Sequence, residues 1–210
     1  APAELGLDES LLTKARDYSL SAGGSGMILF RETVVMRWGD QQKVYDIKSA
    51  TKSFGSIALG LALAEEQIEI DAAAQKYHPS IGVRPESNRE SGWLPSITIR
   101  QLATHTAGFE KPGGFGRLLA QPGTRWNYSD GGPNWLAECL TLIYRRDLQE
   151  LMFDRVFAPI GITRDSLRWR KNSYRPHEID GIPRREFGAG VHASVEALAR
   201  IGLLYLREGE

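Results

Sequence analysis

The alternation of hydrophobic and polar positions divides the chain into a few strongly periodic stretches, separated by Gly- and Pro-rich punctuation. Between Asp8 and Ser21, the residues Leu11, Leu12, Ala15 and Tyr18 recur at helical spacing. Asp8 is placed to cap that helix, and Ala22-Gly23-Gly24-Ser25-Gly26 ends it. Met27-Ile28-Leu29-Phe30 and Thr33-Val34-Val35-Met36 read as two strands joined by a short turn at Arg31-Glu32. A lone hairpin is marginal in water, so it needs more strands or helices packed on it. Phe54, Ile57, Ala58, Leu61 and Ala62 then predict a helix from Ser49 to about Gln67. Gly55, Gly60 and the alanines keep this helix slim, which suits neighbours on most sides.

Further on, Asp71 starts a short helix that ends at His78-Pro79, and residues 79–96 read as a long loop. Thr98-x-x-Gln101 is a capping-box pattern opening a short helix through His105. Gly108 to Gly116 holds four glycines and Pro112 and reads as a mobile wall. After the turn signal Gln121-Pro122-Gly123, Pro133 sits in the first turn of a helix reaching about Arg146, with Leu136, Cys139, Leu140 and Ile143 inward. Asp147 to Phe157 is a further helix, closed by Pro159 and Gly161. Residues 163–186 are irregular, and their seven Arg or Lys against four acids read as a solvated face with local ion pairs. Ser194 to Leu206 is a last amphipathic helix.

Composition narrows the function classes. At 210 residues there is enough chain for one sizeable core. Twenty-six basic and 26 acidic residues give zero net charge, so no global electrostatic argument points to nucleic acid or an anionic membrane. No apolar run approaches the ~18 residues of a membrane span. The lone cysteine, Cys139, excludes an internal disulfide and a Cys-rich zinc site, and it reads as a small buried residue on a helix. The four histidines show no metal-ligand spacing. The chain starts at Ala1 without methionine, which is compatible with a removed secretory signal and a periplasmic or secreted location but leaves the compartment open.

The candidate chemistry begins at Ser49 and Lys52. On a helix, residues three apart share a face, with Cβ atoms about 5–6 Å apart. With 15 Ser and 7 Lys in the chain, roughly half a Ser-x-x-Lys match arises by chance, so context has to carry the motif. A serine hydroxyl becomes a useful nucleophile only when a base takes its proton. An ordinary lysine, with a pKa of about 10.4, is almost wholly protonated near neutrality, and neutralising it there costs ~4 kcal/mol. A helix N-terminus supplies at most ~1–2 kcal/mol of that. Desolvation beside Phe54 and Ile57, or a second cation, has to supply the rest. The same helix end offers backbone N–H groups to an oxyanion. Lys48 is a rival base by proximity, although adjacent helix positions do not face each other.

Other motifs give that context. Ser49-Ala50-Thr51-Lys52, Leu102-Ala103-Thr104-His105-Thr106-Ala107-Gly108 and Pro122-Gly123-Thr124-Arg125-Trp126-Asn127-Tyr128-Ser129-Asp130 follow one another in that order. Together they resemble the serine β-lactamase and penicillin-binding-protein superfamily, nearest its class C-like branch with esterases and D-amino-acid peptidases. Phe187-Gly188-Ala189-Gly190-Val191-His192-Ala193-Ser194 adds to the likeness. The resemblance implies an α+β fold: an antiparallel sheet flanked by helices, plus a mostly helical subdomain. Residues 1–210 would form one incomplete catalytic domain. Within it, residues 1–67 would hold the N-terminal helix, hairpin and nucleophile helix, 68–190 a mostly helical insertion, and 191–210 a return helix.

By the same resemblance, Ser49 is the acylated nucleophile, Lys52 its basic partner, and Tyr128 the phenol that relays protons to the leaving group. His105 belongs to a structural turn. No metal or organic cofactor is implied. Without the other motifs, Tyr128 also reads as an aromatic packed beside Trp126. Asp130 stands where the family carries a substrate-binding asparagine. An aspartate cannot donate a hydrogen bond, and its charge beside Lys52 favours the ammonium and opposes a role as base. That argues against β-lactam or acyl-amide substrates and leaves small esters or an amine-bearing substrate; alternatively Asp130 is a turn residue before Gly131-Gly132.

The family's third motif, Lys/His-Thr/Ser-Gly on a C-terminal strand, has no match after Ser194. C-terminal strands are therefore expected to be missing from this chain, with a companion C-terminal fragment as partner. The leading reading is a serine hydrolase acting on small esters or amides. The alternatives are a β-lactamase or D,D-peptidase proper, and a non-catalytic family member kept for ligand or partner binding. An α/β-hydrolase is disfavoured, because no Gly-x-Ser-x-Gly occurs.

Overall fold

In the computed structural model, which describes residues 1–209, the chain begins with α1 (Glu9–Leu20), β1 (Gly26–Phe30), β2 (Thr33–Trp38) and β3 (Tyr45–Asp46). There follow α2 (Thr51–Ala64), α3 (Ser87–Glu90), α4 (Ile99–Ala103), α5 (Gly131–Tyr144) and α6 (Leu148–Met152). The last elements are β4 (Leu167–Trp169), β5 (Glu178–Ile179), β6 (Ile182–Pro183), β7 (Val191–Ala193) and α7 (Val195–Leu206). The fold is α+β, and the β1–β2, β3–β7 and β5–β6 pairs run antiparallel. Two units divide the chain: residues 1–46, 156–168 and 192–210 form one, and residues 47–155 and 169–191 the other.

The first unit holds β1, β2 and β3 and most of β4 and β7, while the short β5–β6 pair lies in the second. Asp8 caps α1 by accepting from the amides of Ser10 (2.8 Å) and Leu11 (3.2 Å), but the apolar stripe of that helix lies open, with Leu11 59% and Tyr18 83% exposed. The β1–β2 turn puts both Arg31 (φ 47°) and Glu32 (φ 67°) in the left-handed region, matching the right-handed twist of a two-residue hairpin. The ladder shifts register between Ile28 and Leu29, a local bulge. At the turn, Glu32 takes a two-pronged ion pair from Arg207 just beyond α7. A second sheet, order β3-β7-β4, pairs Tyr45 with Ala193 and Asp46 with His192. The sequence reading found only the hairpin, because these other strands are two or three residues long and leave no alternation to detect.

The second unit is mostly helical and carries the larger core. Phe54, Ala58 and Ala62 of α2, Ile99 and Leu102 of α4, and Leu136, Cys139 and Leu140 of α5 are buried. Each fully buried aliphatic or aromatic side chain of this kind contributes ~1.5–3 kcal/mol. Slimness of α2 matters at Gly55, where an added Cβ would stand 2.6 Å from the Phe187 ring; at Gly60 an added Cβ would meet nothing within 4 Å. The capping box of α4 forms as expected, Thr98 N donating to Gln101 Oε1 (2.9 Å) and Gln101 N to Thr98 Oγ1 (3.2 Å).

Two expectations fail in this unit. The helix from Asp71 to His78 is only a 3-10 turn at Ala74–Lys76, because the backbone pairs elsewhere: Ala74 N donates to Ile97 O (2.8 Å) and Arg100 N to Ile70 O (2.7 Å). Nor is the basic stretch 163–186 a solvated face throughout. Arg175, Arg184 and Arg185 are buried, the first two on Glu138 and the third on Asp147. Sequence shows the charges but not the distant acids that bury them. The helix from Asp147 to Phe157 is present as α6 followed by a π-helical turn at Phe153–Phe157.

Candidate active site

Ser49 lies in a 3-10 turn, Lys48–Ala50, immediately ahead of α2. Lys48 holds φ at 50°, a left-handed conformation that costs a non-glycine residue roughly 1–2 kcal/mol. Two hydrogen bonds fix this corner: Ile47 N donates to Val191 O (3.1 Å), and Val191 N to Oγ1 of buried Thr51 (3.1 Å). The result is an exposed serine at the N-terminal end of a buried helix.

Lys52, one turn along, reaches three oxygens. Its Nζ is 3.4 Å from Ser49 Oγ, 2.5 Å from Asp130 Oδ1 and 2.7 Å from the carbonyl oxygen of Gly188. The Lys52 and Asp130 side chains are 17% and 16% exposed, so the pair is largely shielded from water. The other carboxylate oxygen, Asp130 Oδ2, accepts from Lys111 Nζ. Both ammonium groups lie over the ring of Tyr128, 4.8 Å (Lys52) and 5.0 Å (Lys111) from its centroid. Ser49, Lys52, Tyr128 and Asp130, the four residues singled out by sequence, therefore converge.

Charge perturbs the aromatic groups here. Burial by itself would push the Tyr128 phenol up, but hydrogen bonds with Lys52 and Ser49 and the Lys52 charge outweigh it and hold the phenol below its ordinary value; Asp130 opposes them. His105 packs on Tyr128, ring centroids 4.8 Å apart, at a left-handed φ of 61°. Its Nδ1 accepts from Ser129 N (3.2 Å), which leaves the proton on Nε2. Burial first and the Lys52 charge second push this imidazole down, so it is neutral at neutral pH. The sequence-based assignment of His105 to a turn left unseen that the ring lies against Tyr128.

Three neighbours escaped the sequence reading. Asp130 N donates to Lys111 O (2.9 Å), and this backbone pairing sets the two side chains together. Buried Asn134, one turn into α5, donates to Gly113 O (2.9 Å) and accepts from Gly188 N (2.9 Å), which aims the Gly188 carbonyl at Lys52. Gly188 itself has no room for a side chain, since a Cβ would stand 2.8 Å from Asp130 Cβ. Asp130 precedes α5 but its side chain makes no capping bond, both oxygens being taken by lysines. A cavity of about 50 Å³ lies beside Lys52 and His105, whereas a hollow of about 580 Å³ lined by His78, Phe115, Trp135 and Glu138 includes none of these polar residues. The converging polar groups, not volume, mark the site. Among the described residues no group of His, Cys, Asp and Glu could hold a metal ion, and no helix is long and apolar enough to cross a membrane.

Comparison with known proteins places the chain in a wider set. The family model described as beta-lactamase matches residues 30–210. No curated protein matches the chain. Among solved structures, the octameric penicillin-binding protein homologue of Pyrococcus abyssi superposes with a TM-score of 0.73 at 17% identity, over 97% of this chain and 57% of that one. A β-lactamase from Mycobacterium bovis gives 0.65 at 23% identity, over 90% and 60%. A simvastatin synthase from Aspergillus terreus gives 0.62 at 20% identity, over 81% and 55%. The chain thus spans less than two thirds of the length of each.

Proposed function

The chain belongs to the β-lactamase family, whose hydrolase fold it shares, and from that premise we propose that it is a serine hydrolase forming an acyl-enzyme on Ser49. What carries the reading is Lys52 Nζ, 3.4 Å from Ser49 Oγ and 4.8 Å from the centre of the Tyr128 ring. Nucleophile, cation and proton acceptor then share one small volume.

In this mechanism Ser49 Oγ attacks the acyl carbon while its proton passes to the Tyr128 phenolate. Collapse of the tetrahedral intermediate breaks the bond to the leaving alkoxide, which takes that proton from Tyr128. Water then attacks the Ser49 ester in the same way, releasing the acid and restoring the serine. Lys52 serves as the cation holding the phenolate and the serine oxygen. What favours Tyr128 over Lys52 as proton acceptor is that Lys52 Nζ donates to Asp130 Oδ1 and to Gly188 O, an arrangement that suits an ammonium.

Asp130 supports small esters as substrates over β-lactams. A carboxylate accepts hydrogen bonds only, so it offers no amide N–H to a substrate's acylamino group. A fluorophosphonate probe, an activated ester and a chromogenic cephalosporin test the proposal together, with adducts mapped by mass spectrometry. The expected result is an adduct on Ser49, ester turnover that S49A abolishes, and an intact cephalosporin. Absence of any adduct on Ser49 overturns the proposal, and rapid cephalosporin cleavage overturns its substrate class.

A further inference from the structure

We infer that Lys111 is a positioning residue of this site: by pairing with Asp130 it cancels the carboxylate's charge, so that Lys52 is left to act on Ser49 and Tyr128. The inference rests on the acyl-transfer reading and deepens it. Two oxygens of one carboxylate are divided between two lysines, Oδ1 to Lys52 and Oδ2 to Lys111. Seen from Tyr128, Lys52 and Asp130 alone would nearly cancel, and the phenol would face little net charge. Adding Lys111 leaves the set with a net charge of +1, the same as a lysine beside a neutral amide. Lys111 thus supplies the charge that an aspartate removes from a position where a neutral donor would leave Lys52 uncompensated.

Its placement fits an electrostatic role better than a packing one. The Lys111 side chain is 57% exposed, so truncating it opens no buried cavity. It comes from a glycine-rich segment, yet the Asp130 N to Lys111 O hydrogen bond (2.9 Å) fixes its backbone opposite its partner. Tyr128 is faced by Ser49 from the turn ahead of α2 and Lys52 from its first turn, by Lys111, by Asp130, and by the neutral His105 ring. Among these, Lys111 is the cation that can be removed without touching either Lys52 or Ser49.

The test is a two-by-two set: K111M, D130N, the double variant and the parent, with K111R as the charge-conserving control. The first readout is acylation of Ser49 by an activated ester across pH. K111M is expected to slow acylation near neutrality about tenfold and to move the alkaline-rising limb of its pH profile upward by about one unit, the scale of one partly screened charge at this distance. In the D130N background Lys111, 57% exposed, loses the carboxylate that holds its ammonium by the Tyr128 ring and swings into water, so the same K111M change is expected to cost about twofold or less; K111R is expected to restore most of the parent rate. Equal losses from K111M in both backgrounds, or an unmoved limb, overturn the inference. The second readout needs no turnover: tyrosinate ultraviolet absorbance is titrated in each variant and differenced against Y128F. K111M should raise the Tyr128 titration more beside Asp130 than in D130N, and a shift equal in both backgrounds, or none, overturns the inference. A parent enzyme that is never acylated, but whose Tyr128 titration shows this coupling, separates failure of the acyl-transfer reading from failure of the charge argument.

Discussion

Replacing Glu138 by glutamine preserves the shape of a side chain that is 1% exposed while removing its charge. Glu138 Oε1 accepts from Arg175 Nη1 (2.6 Å) and lies 3.1 Å from Arg184 Nε. Oε2 meets His78 Nε2 (3.1 Å) and accepts from Arg184 Nη2 (3.3 Å). Removing one partner of a buried ion pair costs ~3–5 kcal/mol, because the other charge is left uncompensated. Here two guanidinium groups are left, but each keeps carbonyl acceptors: Gly114 O and Gly131 O for Arg175, Pro176 O and Glu178 O for Arg184. Those carbonyls place the expected loss at the lower end, ~3 kcal/mol, still a large share of the ~5–15 kcal/mol that stabilises a domain.

The pH dependence gives a second handle on the same substitution. Burial alone would raise the Glu138 carboxyl, but the His78 bond and the charges of Arg175 and Arg184 outweigh it and hold it low. A depressed folded-state value means that the ionised carboxylate adds stability above the ordinary carboxylate range, and that this is lost as pH falls through the folded value. The gap between parent and E138Q is therefore full at pH 7 and narrows below about pH 4. Urea unfolding at pH 7 and at a series of acid pH values measures both. A loss below ~1 kcal/mol at pH 7, or a gap that stays constant into acid, refutes the argument that this cluster is held by an ionised Glu138.

G188A is expected to lower ester turnover at least about tenfold, because the new Cβ at 2.8 Å displaces Asp130 and with it the Lys52 contact; steady-state kinetics checks this, and parent-like rates would show that the crowding is relieved elsewhere. The two glycines of α2 should behave oppositely in thermal melts. G60A stabilises by ~0.5–1 kcal/mol, since its Cβ meets open space, and G55A destabilises by ~1–3 kcal/mol, since its Cβ collides with the Phe187 ring. Y128F is expected to abolish the alkaline-rising limb of the acylation profile. In the parent that limb lies below the ordinary tyrosine value of about 10, because the Lys52 and Ser49 bonds outweigh burial at the phenol; an unchanged profile in Y128F would remove Tyr128 from the proton path.

The fold was legible where the chain repeats at a period. Asp8 caps its helix, Thr98 and Gln101 form their box, and the hairpin turns at Arg31-Glu32. Where structure comes from pairing with distant backbone, sequence is silent. Residues 70–74 give up a helix because residues 97–100 take their hydrogen bonds, and β3, β4 and β7 are too short to show a pattern. The basic stretch 163–186 misleads for a related reason. A charge looks solvent-seeking until its partner is placed, and the partners Glu138 and Asp147 lie 37 residues before Arg175 and 38 before Arg185.

The same distinction governs the site. Ser49 and Lys52 are visible because residues three apart on helical backbone are neighbours, although Ser49 lies in the 3-10 turn ahead of α2 rather than on the expected helix, and that corner is held by Val191. Tyr128 and Asp130 were reached only through the order of motifs, since no local rule joins Asp130 to a lysine 78 residues earlier. The roles of Lys111 and Gly188 had no signal: one lies in a glycine-rich run without periodicity, and the other, although within a motif that adds to the family likeness, contributes only a carbonyl. The omission reverses an inference. From sequence, Asp130 is a charge that works against Lys52 and so against the site. With Lys111 on the second carboxylate oxygen, aspartate and that lysine together are neutral, and under the proposed mechanism, where Tyr128 takes the proton, an ammonium at Lys52 is no objection to the site.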